Sequence, residues 1–246
     1  MELYLIRHGQ STNNALEDDT ERSHDPILTK LGYQQSILLS EFIATAPRRD
    51  PLMSAATGYS RYDDEEPTGV KLTDLLVSPM YRALQTALPI SQALDLPAVV
   101  RYDIFEHGGL YLEKGSVVTP YPGKTRKAVL KEFPRFILRD LHADHGWYDI
   151  RLGRESYGQA CGRAITLAVE LRERAAGRDR DARIGMVTHG TFLDMLLKAL
   201  LGMLPTRSNY FQHYNTAITR IDITDRDRVI IRYLNRVDHL PADMIS

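Results

Sequence analysis

Arg7-His8-Gly9, followed by Ser11 and Asn14, sets a cation, an imidazole and two neutral hydrogen-bond donors in one short stretch. Three other segments carry matching groups: Ser78 with Arg82, then Glu106, then His189-Gly190. Two arginines and two histidines facing one point suit a phosphoryl group, because guanidinium presents a planar fork of donors that fits phosphate oxygens. Phosphoryl transfer needs mostly positioning and charge stabilisation, which this set supplies. An imidazole nitrogen can also attack phosphorus and hold it covalently, so His8 is the candidate nucleophile. It must then be neutral, with one ring nitrogen turned to the phosphate and the other fixed by an acceptor such as a backbone carbonyl. Gly9 is expected to let the backbone turn sharply behind it. Glu106 is the candidate proton carrier, in a partly dry pocket that holds its acid form when substrate arrives.

Hydrophobic periodicity supplies elements to position these groups. Leu3–Ile6 reads as a first strand, and Thr29 as the N-cap of a helix reaching about Ala46. Leu72–Val77 reads as a second strand. Ser78-Pro79 then opens a helix from Tyr81 to about Leu94, with Pro89 predicting a kink or an early end. A third strand is expected over Ala98–Tyr102, a helix over Ser156–Ala176, a fourth strand over Ile184–Val187 and a helix from Thr191 to about Leu201. Ala217–Ile223 and Val229–Leu234 suggest an antiparallel hairpin at the end of the sheet, with the tail after Asn235 as a surface strap. Residues 47–70 form a long irregular insertion carrying the acidic run Asp63-Asp64-Glu65-Glu66. Residues 107–154 read as a lid-like excursion with a short amphipathic piece over Lys124–Phe136.

Strands alternating with helices predict an α/β three-layer sandwich, a mainly parallel central sheet with helices on both faces. Such sheets bind ligands at the carboxyl ends of their strands. Arg7-His8, Ser78 with Arg82, Glu106 and His189-Gly190 each follow a strand, so all four are expected at one edge. The helix carrying Arg82 and the helix after Gly190 would aim backbone donors at the same anion, with Ser11 and Asn14 adding neutral donors.

The 246 residues are 43% apolar and 26% charged, with a net charge of -1 and a single cysteine, Cys161. That balance gives no global field to draw in nucleic acid or an anionic membrane, so an anion site must be a local cluster of cations. A disulfide within the chain is excluded, and no apolar run nears the ~20 residues that span a bilayer. Met1 leads straight into a strand without a basic and apolar leader, so a cytoplasmic location is expected. Neither a metal nor another cofactor is expected.

Together the motifs resemble the histidine phosphatase superfamily, which includes the phosphoglycerate mutases. The matching segments are Arg7-His8-Gly9 with Ser11 and Asn14, Asp25-Pro26-Ile27-Leu28-Thr29 with Gly32, Ser78-Pro79-Met80-Tyr81-Arg82-Ala83-Leu84-Gln85-Thr86-Ala87, and Thr188-His189-Gly190. Arg154-Glu155-Ser156 with Arg163 resembles a further segment, with arginine where the family has glycine. The resemblance implies that His8 is phosphorylated, that Arg7, Arg82 and His189 clamp the phosphate, and that residues 1–246 form one phosphoglycerate mutase-like catalytic domain. After Glu106 this chain has His107-Gly108-Gly109-Leu110-Tyr111, unlike the Arg-His-Tyr-Gly of the mutases. It also lacks their tryptophan two residues before Asn14. Both departures favour a phosphatase of a small phosphorylated molecule over a mutase. A non-catalytic module that binds phosphorylated ligands is a third reading.

Three other features are weighed and set aside or left open. Gly123-Lys124-Thr125 looks like the end of a nucleotide phosphate loop, but Val118 stands where the first glycine would be and no buried strand precedes it. His142-Ala143-Asp144-His145, with Glu113 and His107, lacks convincing metal-ligand spacing. Trp147-Tyr148 is expected either to line the pocket or to pack beneath the excursion.

Overall fold

The computed structural model describes residues 1–18, 20–46, 69–139 and 144–246. Most of the expected insertion at 47–70, with its acidic run, therefore lies outside the described residues, as does His142.

Among the described residues the central sheet has six strands: β1 (Glu2–Arg7), β2 (Asp74–Val77), β3 (Ala98–Val100), β6 (Arg183–Thr188), β7 (Ile218–Ile223) and β8 (Val229–Arg236). A separate hairpin pairs β4 (Tyr111–Lys114) with β5 (Val117–Pro120). The spatial order in the sheet is β3-β2-β6-β1-β7-β8. The first four of these are parallel, while β7 and β8 form the antiparallel hairpin at the edge beside β1. Alternation along the strands divides the core between the two faces, as a pleat of period two requires. Leu3, Leu5, Leu76, Ile184 and Met186 face one helical layer; Tyr4, Ile6, Leu75, Val77 and Val187 face the other.

The first layer holds α4 (Tyr157–Ala176) and α5 (Gly190–Leu200); the second holds α1 (Lys30–Thr45) and α2 (Tyr81–Ala93). Thr29 caps α1 by accepting the Gly32 N–H at 3.0 Å. Ser156 and Gln159 close a capping box on α4. The α2 start has no cap from its own Met80; Asp25 reaches across to accept the Tyr81 N–H at 2.9 Å. Pro89 does not end this helix, which runs on to Ala93. The observed β2 and β3 are shorter than their apolar runs suggested, and the amphipathic piece of the excursion condenses to α3 (Arg126–Glu132). Thr125 caps α3 and Lys124 pairs with Glu132 at 3.1 Å, so the Gly-Lys-Thr run makes a helix start. Trp147 and Tyr148 pack with Phe105, Leu110 and Met80 beneath the excursion. No helix among the described residues is long and apolar enough to cross a membrane.

The C-terminal tail crosses behind the β1 end, where Gln35 Nε2 donates to Met244 O at 2.8 Å and Asn215 N donates to Ser246 O at 2.8 Å.

Candidate active site

The carboxyl end of β1 delivers Arg7 and then His8, whose N–H donates to Thr188 O at the end of β6. The loop beyond runs close over α1. A Cβ on Gly9 would lie 2.5 Å from Gly32 O, and one on Gly32 would lie 2.0 Å from Gln10 O. Glycine is needed here for close approach between two backbones. The expected reason, a sharp turn, is not the operative one, because Gly9 is absent from the residues with positive φ.

His8 is buried, and both ring nitrogens are engaged. Nδ1 lies 2.7 Å from Gly9 O, so it carries the proton, and Nε2 accepts from Arg82 Nε at 3.0 Å. Burial first, then the charges of Arg82 and Arg7, hold this imidazole well below the usual histidine range. His189 stands beside it, with ring centroids 5.1 Å apart. Ser78 Oγ lies 2.7 Å from His189 Nε2 and already accepts from the Met80 N–H. Its hydroxyl can give its proton to Nε2, and in that tautomer the ring proton of neutral His189 is on Nδ1. Burial and then Arg82 hold His189 well below its usual value too. Nδ1 of His189 and Nε of Arg7 are buried and without a partner. Buried polar atoms are rarely left in that condition, and here two of them flank His8.

Arg82 is the second residue of α2, with Asp25 behind it. Burial pushes the Asp25 carboxyl up to about 6, against the pull of Arg82. Arg7 Nη1 donates to His213 O at 2.5 Å, which turns its guanidinium into the site.

Glu106 follows β3. Its Oε1 accepts from His107 N at 2.8 Å and Phe192 N at 2.9 Å, and its Oε2 from Thr191 N at 3.2 Å. The expected dry surroundings are replaced by the N-terminal turn of α5, which points its free donors at this carboxyl. Arg163 props the loop from behind. It forms a part-buried ion pair with Glu155 at 2.7 Å and donates to the carbonyls of Asp103 at 2.8 Å and Phe105 at 2.9 Å.

Ser11 and Asn14 form a capping box on a single 3-10 turn. The Ser11 hydroxyl donates to Asn14 Oδ1 at 3.0 Å, as does the Ser11 N–H at 3.1 Å. Ser11 thereby orients Asn14, and the Asn14 amide NH2 is left for the cavity.

These groups surround a cavity of about 340 Å3, lined by Arg7, His8, Asn14, Arg82, Glu106 and Gly190 among others. Ser11 also reaches its wall, and His189 lies behind His8, out of contact with solvent. Lining residues that no motif flagged as part of a site include Arg22, Tyr210, Gln212 and His213. The last three come from the connection between α5 and β7. Because β7 runs against its neighbours, its amino end enters the sheet at the edge where the parallel strands end. The predicted hairpin held that signal. Among the described residues, no group of three or more His, Cys, Asp or Glu is placed to hold a metal ion.

Such a site can grip a tetrahedral anion between two guanidiniums and present it to an unprotonated ring nitrogen. The family description "Histidine phosphatase superfamily (branch 1)" matches residues 3–57 and 61–236. Over 84 residues, 30% of this chain, the sequence is 30% identical to a probable phosphatase of Schizosaccharomyces pombe; the match spans 39% of that protein's length. The fold is similar to the phosphoserine phosphatase of Entamoeba histolytica, with a TM-score of 0.57 at 20% identity over 98% of this chain and 99% of the other. It is also similar to the alpha-ribazole phosphatase of Shigella flexneri, with a TM-score of 0.59 at 18% identity over 96% and 97%. A mycobacterial glucosyl-3-phosphoglycerate phosphatase gives a TM-score of 0.53 at 17% identity over 95% and 98%.

Proposed function

The chain belongs to the histidine phosphatase superfamily, and from that premise we propose that it is a phosphomonoesterase acting on a small phosphorylated molecule through a phosphohistidine at His8, with residues 1–246 working as one catalytic domain. The observation that carries this reading is the state of His8: its Nδ1 proton is committed to Gly9 O, and its Nε2 lone pair faces Arg82. The similar solved proteins are phosphatases of three different small esters, which supports hydrolysis as the reaction class.

The arriving phosphoryl group displaces Arg82 Nε from His8 Nε2 and takes the guanidiniums of Arg82 and Arg7 as its clamp. The Nδ1–H of His189 and the amide of Asn14 donate to its remaining oxygens. The Nε2 lone pair then attacks phosphorus. The ester P–O bond breaks, its electrons stay on the leaving oxygen, and that oxygen takes a proton from Glu106. A water next gives a proton back to Glu106 as its oxygen attacks phosphorus. The P–N bond breaks, its electrons return to Nε2, and inorganic phosphate leaves. Glu106 is the one carboxyl among the described cavity-lining residues, which is why the proton steps fall to it.

The test is a panel of small phosphomonoesters followed by phosphorus NMR of the products. Inorganic phosphate released from at least one substrate without a bisphosphate primer is the expected result. Phosphate that moves to another hydroxyl of the same molecule would make the protein a mutase. Binding without turnover on the whole panel would make it a phospho-ligand module.

A further inference from the structure

Gly9 O, which takes the Nδ1 proton of His8 at 2.7 Å, lies one peptide unit beyond the one between His8 and Gly9, and the placing of that His8–Gly9 unit helps to set where it sits. That unit is held at both polar ends. Its N–H, from Gly9, donates to Thr86 Oγ1 at 3.0 Å. Its oxygen, on His8, accepts from Asn215 Nδ2 at 2.9 Å and from Thr216 N at 3.3 Å. Asn215 Nδ2 also reaches Asn14 Oδ1 at 3.4 Å, so one buried amide touches both the candidate nucleophile and a candidate phosphate donor.

The backbone beside it is strained. Thr216 has φ +57°, a left-handed conformation that β-branched residues rarely adopt, and it is fully buried. In this conformation its N–H bridges the carbonyls of Arg7 at 3.0 Å and His8 at 3.3 Å. The strain is held by Thr216 Oγ1, which donates to Asn215 O at 2.7 Å and lies 3.1 Å from His239 Nε2. Conformations of this kind persist only where the surroundings over-determine them, and they gather at functional sites. None of the motifs that flagged the site reaches this segment.

We propose that Asn215 is a positioning residue for His8. By fixing the His8–Gly9 peptide from the side opposite Thr86, it locks the imidazole in the Nδ1–H tautomer and keeps the Nε2 lone pair aimed at the phosphoryl site. The proposal rests on His8 being the nucleophile.

Nitrogen-15 NMR of the histidine rings tests the tautomer without reference to turnover. In the unaltered protein, His8 is expected to show a protonated Nδ1 and a bare Nε2. Asn215→Ala should mix the two tautomers. It should also lower kcat by about tenfold to a hundredfold with KM within about twofold, and slow formation of the phosphoenzyme. Thr86→Val, which keeps shape and releases the other end of the peptide, should shift the tautomer the same way and serves if Asn215→Ala does not fold. Leu200→Ala, a core truncation remote from His8, controls for general loss of stability and should keep both tautomer and kcat. The proposal is overturned if the two site variants keep the His8 tautomer and match Leu200→Ala in kcat. Absence of any phosphoenzyme in the unaltered protein would instead remove the nucleophile reading, while the ring spectra would still report the grip of Asn215.

Discussion

Arg82 Nε donates to His8 Nε2 across 3.0 Å, between side chains 74 positions apart in the chain. The contact keeps the imidazole unprotonated on the side that would attack phosphorus, and it holds a guanidinium where the phosphate would bind. Arg82 should therefore do two separable things. Arg82→Ala is expected to lower kcat/KM by about 10^2 to 10^3-fold, as loss of a charge-stabilising donor in a closed site does. Arg82→Lys should recover only part of this, because an ammonium cannot form the planar fork.

The acid limb of the pH–rate profile gives the second readout. Burial, Arg82 and Arg7 all favour neutral His8, so the limb controlled by its protonation should lie well below the ordinary value of 6.5. In Arg82→Ala one of these causes is gone, and the limb should move up in pH. A limb that stays in place would mean that Arg82 does not act on His8.

The same shifts predict how stability depends on pH. His8 and His189 are neutral when folded, with values well below 6.5, and they take up protons on unfolding as pH falls past that point. Where the unfolded chain binds more protons, stability rises with pH. Each of these histidines should thus cost about 1.4 kcal/mol per pH unit as the solution is acidified below the unfolded value. Asp25, raised to about 6, works in the opposite direction, because the folded protein holds its proton from about 6 down to the ordinary value of 3.8. Urea titrations between pH 7 and pH 5 should show a falling stability, and His189→Gln should make the fall shallower by about one proton.

Glu106→Gln tests the proton carrier. The amide nitrogen would face the Thr191 N–H in the place of Oε2, or those of His107 and Phe192 in the place of Oε1, so a modest loss of stability is expected from the spoiled helix cap, about 1 kcal/mol. The kinetic loss should be far larger, about 10^2 to 10^4-fold in kcat, and should be smaller for substrates whose leaving oxygen needs no proton. Equal losses for good and poor leaving groups would exclude Glu106 as the acid.

Gly9→Ala and Gly32→Ala probe the crossing of the His8 loop over α1. Each new methyl would meet a backbone carbonyl, at 2.5 Å and 2.0 Å respectively. Backbone cannot swing aside as a side chain can, so each variant should lose about 1–3 kcal/mol in urea denaturation. Gly158, with nothing near its Cβ position, is the matched control.

Much of this arrangement could be read from the chain because several independent signals agreed. The apolar run Leu3–Ile6, the cap at Thr29, and the rule that parallel sheets bind at their carboxyl edge together brought Arg7, His8, Arg82, Glu106 and His189 to one place. What escaped notice lacked a period. Tyr210, Gln212, His213 and Asn215 lie in an irregular connection, and only the reversed direction of β7 brings them back to the edge. The β4–β5 hairpin was obscured because its strands are short and its turn is the unremarked pair Gly115-Ser116, with Gly115 at φ +59°. The surroundings of Glu106 were misjudged for a physical reason. A helix N-terminus makes a carboxyl site polar without placing any polar side chain beside it in the sequence.

The central claim is that phosphate passes through His8. Rapid mixing with a turned-over phosphomonoester, quenching in alkali and mass analysis of the digest should place a phosphoryl increment on the peptide containing His8. That label should be lost in acid and absent from His8→Ala. Turnover with no acid-labile label at His8, or full activity in His8→Ala, would contradict it.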